Sequence, residues 1–453
     1  MRKFVLVFLL LATTLGAMER QPNSVYKARR QALAELTKGG MVLMFAPVDE
    51  EGRYAWFQDP NFYYLTGITE PGAALMIVGA AEATNNSPAR EYSEILFLPA
   101  RNPSWERWTG PKLTTDSPNL QERTGFDRIA RLDTMRDEIA KYVFSTRISI
   151  YSDPEPNSDA AVPLAWLRRT NAFGRGNNPQ DVKPLIGQLR LKKDAGEIEL
   201  IKKATDASVA AHLAVMKAMR TGKTEREIAA LFEYEFGRRG CERPAYPPIV
   251  ATGLTGTVLH YRDNTGTIQD GDLVVMDVGG EFSMYATDIT RTLPVNGKFT
   301  ARQREIYEIV LGAQKAAIAA FKSGISTMQG FGPDSIHKVA YDYINSHGKD
   351  KNGEPLGKYF IHGLSHTVGL RVHDSGTQGK PIQPGTIFTI EPGIYLPEEK
   401  FGVRIEDMFW VNERGELVNL SAALPKEPDE IEKIMAEAKA AEQDAAKPAP
   451  KKR

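Results

Sequence analysis

The chain has 453 residues, which is enough for two domains with flanking segments, and its apolar and charged fractions are those of an ordinary globular protein. Its 57 basic and 57 acidic residues balance, so the overall charge does not favour nucleic acid or an anionic membrane as a partner. The single cysteine, Cys241, excludes an intramolecular disulfide, a multi-cysteine zinc motif and a Cys-X-X-Cys redox pair.

The N-terminus has the layout of a secretory signal peptide. Arg2 and Lys3 precede the apolar run 4–12, and mostly small residues follow as far as Ala17. The apolar run is shorter than the ~20 residues that a bilayer-spanning helix needs, which disfavours an uncleaved anchor. We therefore expect export to the periplasm or beyond, and a mature protein from Met18 with no stable membrane span.

The N-terminal half alternates helical and strand patterns. Periodicity predicts a helix over 25–37 and strands over 41–45, 73–78 and 94–98. This alternation is typical of an α/β domain. The stretch 171–181 is rich in glycine and asparagine and is the predicted linker.

The C-terminal half opens with helices and continues with strands. Helical patterns cover 189–220 and 224–239, and Thr224 and Glu227 form a capping box at the start of the second. Further elements are expected at 249–250, 273–278, 285–292, 302–321, 335–346, 387–390 and 403–405.

These patterns divide the chain into four parts. The expected parts are a signal peptide (1–17), an N-terminal α/β domain (18–175), a second domain (176–427) and a tail (428–453). The tail starts as a charged helix and ends in a low-complexity segment that we expect to be disordered.

A strand with an aspartate at its end is the most informative element. The run 273–278 is apolar on both faces except at Asp277, and an isolated buried carboxylate is too costly to keep ionised. The next extended run, 285–292, carries Asp288, and a tight hairpin would bring the two carboxylates together. Such a pair shares a proton or holds cations. From this hairpin alone, a single salt-bridged aspartate in a sheet is an equal alternative.

The same spacing recurs near the C-terminus. A glycine lies six residues before Asp277 and another two residues after it, and Glu391 has glycines at the same distances. Each is followed by a second acidic residue on a new strand, Asp288 and Glu406 respectively. The repeat suggests a duplicated domain with its site between the two hairpins, although chance is the alternative.

Three of the seven histidines, His362, His366 and His373, lie within 361–374. Two glycines in this segment argue against a continuous helix, so His362 and His366 do not form a two-histidine zinc helix. Four carboxylates and one or more imidazoles suit a pair of Mn²⁺, Co²⁺ or Zn²⁺ ions. Two-metal hydrolases hold such ions roughly 3.5–4 Å apart and use a bridging hydroxide as the nucleophile. The remaining histidines are free to donate hydrogen bonds to a developing oxyanion.

Several segments together resemble the pita-bread metallopeptidases. They are VLHY (258–261), MDVGGEF (276–282), YATDITRTLPVNGKFT (285–300), HGLSHTVGLRVHD (362–374), EPGIYL (391–396) and GVRIED (402–407). Within that group they are most similar to Xaa-Pro aminopeptidases (aminopeptidase P), with prolidases next. NFYYLTGITEPGAALMIV (61–78) resembles the N-terminal domain of the same family. The resemblance implies an α/β (α+β) chain, with a creatinase/aminopeptidase P-type domain followed by a pita-bread catalytic domain.

The resemblance also implies roles for individual residues. The implied metal ligands are Asp277 on one ion, His366 and Glu391 on the other, and Asp288 and Glu406 bridging both. Glu391 corresponds in addition to the proton shuttle, and His362 and His373 to residues that steady the scissile carbonyl. The implied substrate-binding positions are His260, Val372, Tyr395 and Arg404. Manganese is the expected metal, with cobalt or zinc as alternatives.

The expected activity is hydrolysis of the bond between an N-terminal residue and a following proline. Peptides with proline second are the expected partners, and a homo-oligomer (dimer or tetramer) is expected. A prolidase restricted to dipeptides is one rival. A non-catalytic peptide-binding module and metal-free creatinase-like chemistry are others, and both are disfavoured because all five ligand positions are filled.

Other residues receive structural interpretations. His212 and His337 are expected at the surface or half-buried in helices, and Cys241 as an inert buried thiol. Trp108 lies in a polar segment, and its reaching the cleft of a neighbouring subunit is a hypothesis. Arg371 departs from the resemblance, because relatives often carry an acidic residue before Val-His-Asp.

Overall fold

The computed structural model describes residues 18–48, 57–83, 88–144, 148–153, 162–170, 179–376 and 379–445. The expected signal peptide lies outside these ranges. So do most of the predicted linker, 171–178, and the end of the predicted tail, 446–453.

Helices and strands cover both halves of the described chain. The helices are α1 (Asn23–Leu36), α2 (Pro60–Thr66), α3 (Pro103–Thr109), α4 (Leu120–Thr124), α5 (Met135–Val143), α6 (Val162–Arg169), α7 (Lys183–Leu191), α8 (Ala195–Ala218), α9 (Glu225–Gly237), α10 (Ala301–Ala320), α11 (Ile336–His347) and α12 (Pro428–Ala445). The strands are β1 (Met41–Phe45), β2 (Ala74–Val78), β3 (Ser93–Leu98), β4 (Ile129–Arg131), β5 (Ile150–Ser152), β6 (Gln180–Asp181), β7 (Arg243–Pro244), β8 (Ile249–Thr252), β9 (Leu273–Asp277), β10 (Gly280–Phe282), β11 (Tyr285–Ala286), β12 (Thr290–Pro294), β13 (Ile387–Ile390), β14 (Gly393–Leu396), β15 (Phe401–Arg404), β16 (Asp407–Val411) and β17 (Leu417–Asn419).

The N-terminal half is built on a six-stranded mixed sheet in the order β4-β3-β2-β1-β5-β6. Every residue of β2 is buried, because helices cover both faces of the central strands. The predicted strand 41–45 is confirmed residue for residue, and the predicted helix 25–37 is observed as α1. Since β6 pairs with β5, the sheet continues past residue 175, where the sequence analysis placed the domain boundary.

The C-terminal half contains two antiparallel hairpin systems covered by long helices. In the first, β9 lies between β8 and β12, and in the second, β16 lies between β13 and β17. The predicted run 285–292 is divided into two strands, because β11 pairs back onto β10 whereas β12 pairs with β9. The capping box of Thr224 and Glu227 at the start of α9 is confirmed.

Helix α12 is longer and better anchored than the sequence suggested. Ile431 and Met435 are buried against the C-terminal half, and Glu432 accepts a hydrogen bond from the Phe299 amide and pairs with Arg304. The helix extends to Ala445, into the AEQDAA run that begins the low-complexity end of the tail.

The expectation that His212 and His337 are surface or half-buried is wrong, because both are buried. The His212 Nε2 lies 2.9 Å from the Val278 carbonyl oxygen, directly after the end of β9. The His337 Nδ1 accepts a hydrogen bond from the Leu364 amide and so supports the histidine-rich loop. Cys241 is buried as expected, and burial raises the pKa of its thiol to about 12.

Candidate metal centre

The hairpin of β9 and β12 places two carboxylates at one end of the sheet. Asp277 is the last residue of β9 and pairs with Thr290, and Asp288 lies two residues before that partner. The backbone at Gly279 packs closely against the backbone at Thr287. A Cβ added to Gly279 would lie 1.9 Å from the Thr287 carbonyl oxygen. Only glycine permits this approach, which brings Asp288 next to the end of β9.

The second hairpin repeats the arrangement. Glu391 directly follows β13, whose last residue pairs with Asp407, and Glu406 precedes that partner. The two hairpins meet edge to edge, since the Glu406 amide donates to the Thr290 carbonyl oxygen at 3.1 Å. Carboxylates from both hairpins therefore face one point.

His366 reaches the same point from a segment with no helix, as predicted. Its Nε2 lies 3.2 Å from Glu391 Oε1, 3.3 Å from Asp288 Oδ2 and 4.0 Å from Glu406 Oε1. Asp288, His366 and Glu406 each offer a ligand atom within 4.8 Å of the others. The residues expected to bind the second ion and to bridge the pair thus converge.

Asp277 joins this group through two side chains. The Tyr246 hydroxyl lies 2.6 Å from Asp277 Oδ1 and also within hydrogen-bonding distance of Asp288 Oδ1. On its other side, Arg404 Nη2 donates to Asp277 Oδ2 at 2.6 Å. Asp277 is therefore held at both oxygens, and Tyr246 also links it to Asp288, which is expected to bridge the ions.

The group carries more negative charge than its buried surroundings favour. Burial, and then the charge of Asp277, raises the pKa of Asp288 to about 7. Burial and the neighbouring carboxylates likewise raise the pKa of Glu406 well above its usual value. Protonation or a bound cation would relieve this repulsion.

For His366 and Glu391, in contrast, the charged form is favoured. Burial opposes the charge on both, but the hydrogen bonds of His366 with Asp288 and Glu391 outweigh it for His366, and the bond with His366 outweighs it for Glu391. The pKa of His366 is therefore raised well above its usual value, and that of Glu391 is lowered to about 2. A proton on His366 occupies the position where a metal would accept its lone pair.

The donor atoms fit divalent metal ions. Thr290 Oγ1 donates to Glu406 Oε2 at 2.7 Å, and Thr389 Oγ1 donates to Glu391 Oε1 at 3.0 Å. The other oxygen of Glu406, Oε1, is buried and has no hydrogen-bond partner among the described residues. Carboxylate oxygens with one imidazole nitrogen suit Mn²⁺, Co²⁺ or Zn²⁺.

A second network lies beside the carboxylates. The Tyr395 hydroxyl accepts from Arg404 Nη1 at 2.9 Å and lies 2.8 Å from His362 Nε2. The His362 Nδ1 lies 2.9 Å from the Gly363 carbonyl oxygen. Burial lowers the pKa of His362, so its ring is neutral and donates from Nδ1 to that carbonyl.

A cavity of about 840 Å³ opens onto the carboxylates. Ten of the eleven candidate residues line it: His260, Asp277, Asp288, His362, His366, Val372, His373, Glu391, Arg404 and Glu406. The remaining candidate, Tyr395, lies buried behind the wall, where it holds His362 and Arg404.

Comparisons with known proteins agree on one family. The profile of metallopeptidase family M24 matches residues 199–413, and that of the aminopeptidase P N-terminal domain matches residues 26–151. The Xaa-Pro aminopeptidase of Escherichia coli (strain K12) is 32% identical over 443 residues, covering 91% of this chain and 98% of that protein. This chain belongs to the Xaa-Pro aminopeptidase family of M24 metallopeptidases.

Other relatives of the Xaa-Pro aminopeptidase family extend the match. Human Xaa-Pro aminopeptidase 3 is 36% identical over 411 residues, covering 85% of this chain and 78% of that protein. A solved structure of E. coli aminopeptidase P with the inhibitor Pro-Leu superposes with a TM-score of 0.81 at 30% identity, covering 93% of this chain and 100% of that one. The expected fold is confirmed: an aminopeptidase P N-terminal domain followed by a pita-bread domain.

Membership in the Xaa-Pro aminopeptidase family shows that the chain is a metal-dependent exopeptidase, a hydrolase that uses divalent metal ions. Among its described residues, no helix is both long and apolar enough to cross a bilayer.

Sequence reasoning missed four side chains that support the centre of this aminopeptidase: Tyr246, Thr290, His337 and Thr389. Tyr246 lies three residues before β8, and β8 starts opposite Asp277, but that pairing is seen in the structure alone. The two threonines looked like ordinary strand residues.

Proposed function

We propose that this aminopeptidase removes the N-terminal residue of peptides whose second residue is proline, using two divalent metal ions. Asp277, Asp288, His366, Glu391 and Glu406 would hold the ions. Their convergence in one cavity is the observation that carries the proposal. The names of the relatives support the specificity, and one solved relative binds Pro-Leu as an inhibitor.

The ions would lower the pKa of a water molecule and polarise the scissile carbonyl. Glu391 would carry a proton to the leaving nitrogen. Its position in the cavity supports this role, with Oε1 accepting from Thr389 and Oε2 3.9 Å from His362. The nitrogen of an Xaa-Pro bond has no hydrogen of its own, so a proton must be delivered to it.

The two histidines expected to steady the carbonyl have different surroundings. His373 is exposed and has no hydrogen-bond partner among the described residues, so the N–H of its neutral ring is free for a substrate oxygen. Both nitrogens of His362 are engaged by Gly363 and Tyr395. We therefore assign oxyanion donation to His373, and the shaping of the proline pocket to His362 together with His260 and Val372.

A peptide comparison tests the function. The metal-loaded protein should cleave Ala-Pro-Gly, leave Ala-Ala-Gly intact and lose activity after chelation. Asp288→Asn should lower kcat/KM at least about 100-fold, because it removes a bridging charge. Asp127→Asn, which changes an exposed aspartate at the surface, serves as the matched control.

The same peptides separate the alternatives. Cleavage of Ala-Pro without Ala-Pro-Gly would identify a prolidase. Binding of Ala-Pro-Gly without turnover, in a protein shown by metal analysis to be loaded, would identify a non-catalytic module.

Manganese is the metal that we propose for the native enzyme, with cobalt and zinc as the alternatives. The oxygen-rich ligand set, with a single imidazole, favours manganese over the softer ions. Elemental analysis of protein purified from its source without added metal tests this choice.

We further propose that the enzyme is exported and works as a dimer or tetramer. The basic, apolar and small-residue order of the first seventeen residues supports export. N-terminal sequencing of the mature protein should begin near Met18, and light scattering gives the oligomeric state.

A further inference from the structure

The mouth of the cavity carries two arginines that the metal centre does not use. Arg262 and Arg371 line the same cavity as the carboxylates, and both are exposed. Arg262 has no ion pair or hydrogen bond with a described residue. Arg371 approaches only Asp59, at 4.0 Å, the outer limit for an ion pair.

The other arginines of the cavity are already paired. Arg404 is bonded to Asp277, and Arg243 to Glu281. The three carboxylates left in the cavity, Asp288, Glu391 and Glu406, would be neutralised by two divalent ions, since three negative charges meet four positive ones. Among the described residues, the mouth is then left with the charges of Arg262 and Arg371, with Asp59 4.0 Å from Arg371.

The positions of the two arginines indicate which part of a substrate they meet. Arg262 lies two residues after His260, and Arg371 directly precedes Val372. Both neighbours belong to the proposed proline pocket. Both arginines are therefore attached close beside the residues expected to hold the proline ring, in the same cavity.

We propose that Arg262 and Arg371 select substrates with a carboxylate just after the proline. This inference rests on the proposed function and names its substrate class. The carboxylate is either an Asp or Glu side chain at the third position or the C-terminal carboxylate of a short peptide. Guanidinium groups bind both in the same way, with paired N–H donors.

Matched blocked peptides test the proposal. Wild type should cleave Ala-Pro-Glu-NH₂ with a kcat/KM about three- to tenfold above that of Ala-Pro-Gln-NH₂, as expected for two partly exposed ion pairs. Comparing Ala-Pro-Gln-OH with Ala-Pro-Gln-NH₂ shows whether the terminal carboxylate gains the same advantage. In about 1 M salt the preference should shrink, because exposed charges are screened.

Variants assign the preference to the two side chains. The double variant Arg262→Gln/Arg371→Gln should bring the Glu-to-Gln ratio to about one, and Arg371→Glu should favour Ala-Pro-Lys-NH₂. Arg131→Gln, at a similarly exposed arginine outside the cavity, should keep the wild-type ratio. Calorimetry of Pro-Glu-NH₂ and Pro-Gln-NH₂ binding gives the same comparison without turnover.

Equal turnover of the Glu, Gln and free-carboxylate peptides by wild type would overturn the inference. So would a preference that the double variant retains. Cleavage of the neutral peptide Ala-Pro-Gln-NH₂ distinguishes failure of this inference from failure of the proposed function. If wild type does not cleave that peptide, the proposed function itself is contradicted.

Discussion

The hydroxyl proton of Tyr246 helps to orient the two aspartates of the first hairpin. Its hydroxyl lies against both Asp277 and Asp288 but can donate to only one of them at a time. Burial, and then the two carboxylate charges, raises its pKa well above the usual value, so the phenol stays neutral. The side chain therefore acts as a donor that orients ligands rather than as a base.

We expect Tyr246→Phe to weaken metal binding and to lower kcat/KM by about 10- to 100-fold, the usual effect of losing a partner of a ligand. Calorimetric metal titration and peptide turnover measure both effects. Tyr234→Phe changes an exposed tyrosine on α9 and should alter neither. A Tyr246→Phe enzyme with normal metal affinity would contradict the role.

His212 links folding to pH. Burial lowers its pKa to about 4, from an ordinary value near 6.5. The unfolded chain therefore binds a proton more readily, so the stability that neutral His212 provides is present above pH 6.5. It is lost as the pH falls toward 4.

Between pH 7.5 and pH 5 this histidine alone should cost about 2 kcal/mol of unfolding free energy. His212→Gln keeps a donor for the Val278 carbonyl but does not titrate. Urea unfolding of both chelated proteins should thus show a smaller pH effect in the variant, and equal pH effects would refute the linkage.

At the scale of elements, the turn after β9 sets the geometry of the first hairpin. Gly279→Ala should destabilise the protein by about 1–3 kcal/mol or more, because the new methyl group would overlap the Thr287 carbonyl oxygen. Gly237→Ala is the control, since its Cβ would meet nothing within 4 Å and α9 would gain a better helix former. Urea midpoints measure both, and equal midpoints would show that the turn relaxes freely.

Elements differ in how far sequence could predict them. Strands such as β1 and β13 are continuous apolar runs, and periodicity located both residue for residue. The division of 285–292 into β11 and β12 was not predictable, because it depends on which neighbour each half pairs with. The anchoring of α12 also escaped prediction, since its buried side is narrow and eight of its 18 residues are charged.

The candidate site shows the same limit. The spacing around Asp277 and Glu391 pointed to paired carboxylates, and the resemblance then supplied their roles. Tyr246 and His212 could not be assigned, because their importance comes from contacts with residues 31 and 66 positions away. Such long-range contacts leave no periodic trace in one sequence.

At the scale of the whole molecule, a buried ion pair joins the two halves. Arg29 on α1 lies 2.6 Å from Asp194 and 3.1 Å from Glu197 on α8, and it also donates to the Tyr64 carbonyl oxygen. Tyr285 of β11 donates to Glu197 from the catalytic side. The interface therefore connects the N-terminal sheet to the hairpin that carries Asp288.

Arg29→Gln should cost about 3–5 kcal/mol, because it leaves Glu197 buried without its cation. Lys27→Gln on the same helix removes only an exposed pair and should cost less than about 1 kcal/mol. Urea unfolding followed by tryptophan fluorescence compares them. Similar losses in both variants would mean that the buried pair does not hold the halves together.

The seam between the two hairpins, where Thr290 meets Glu406, affects local opening of the protein. One carboxylate proposed to bridge the ions comes from each hairpin. Among the described residues, the backbone hydrogen bond from Glu406 to Thr290 crosses the seam beside them, and Arg291 and Arg404 add side-chain hydrogen bonds across it. Bound ions would link the two hairpins and oppose their local separation at this seam. Removing them should let the Glu406 amide exchange its hydrogen with solvent faster than the amides inside β9, so deuterium uptake at that one position would report metal occupancy without any substrate.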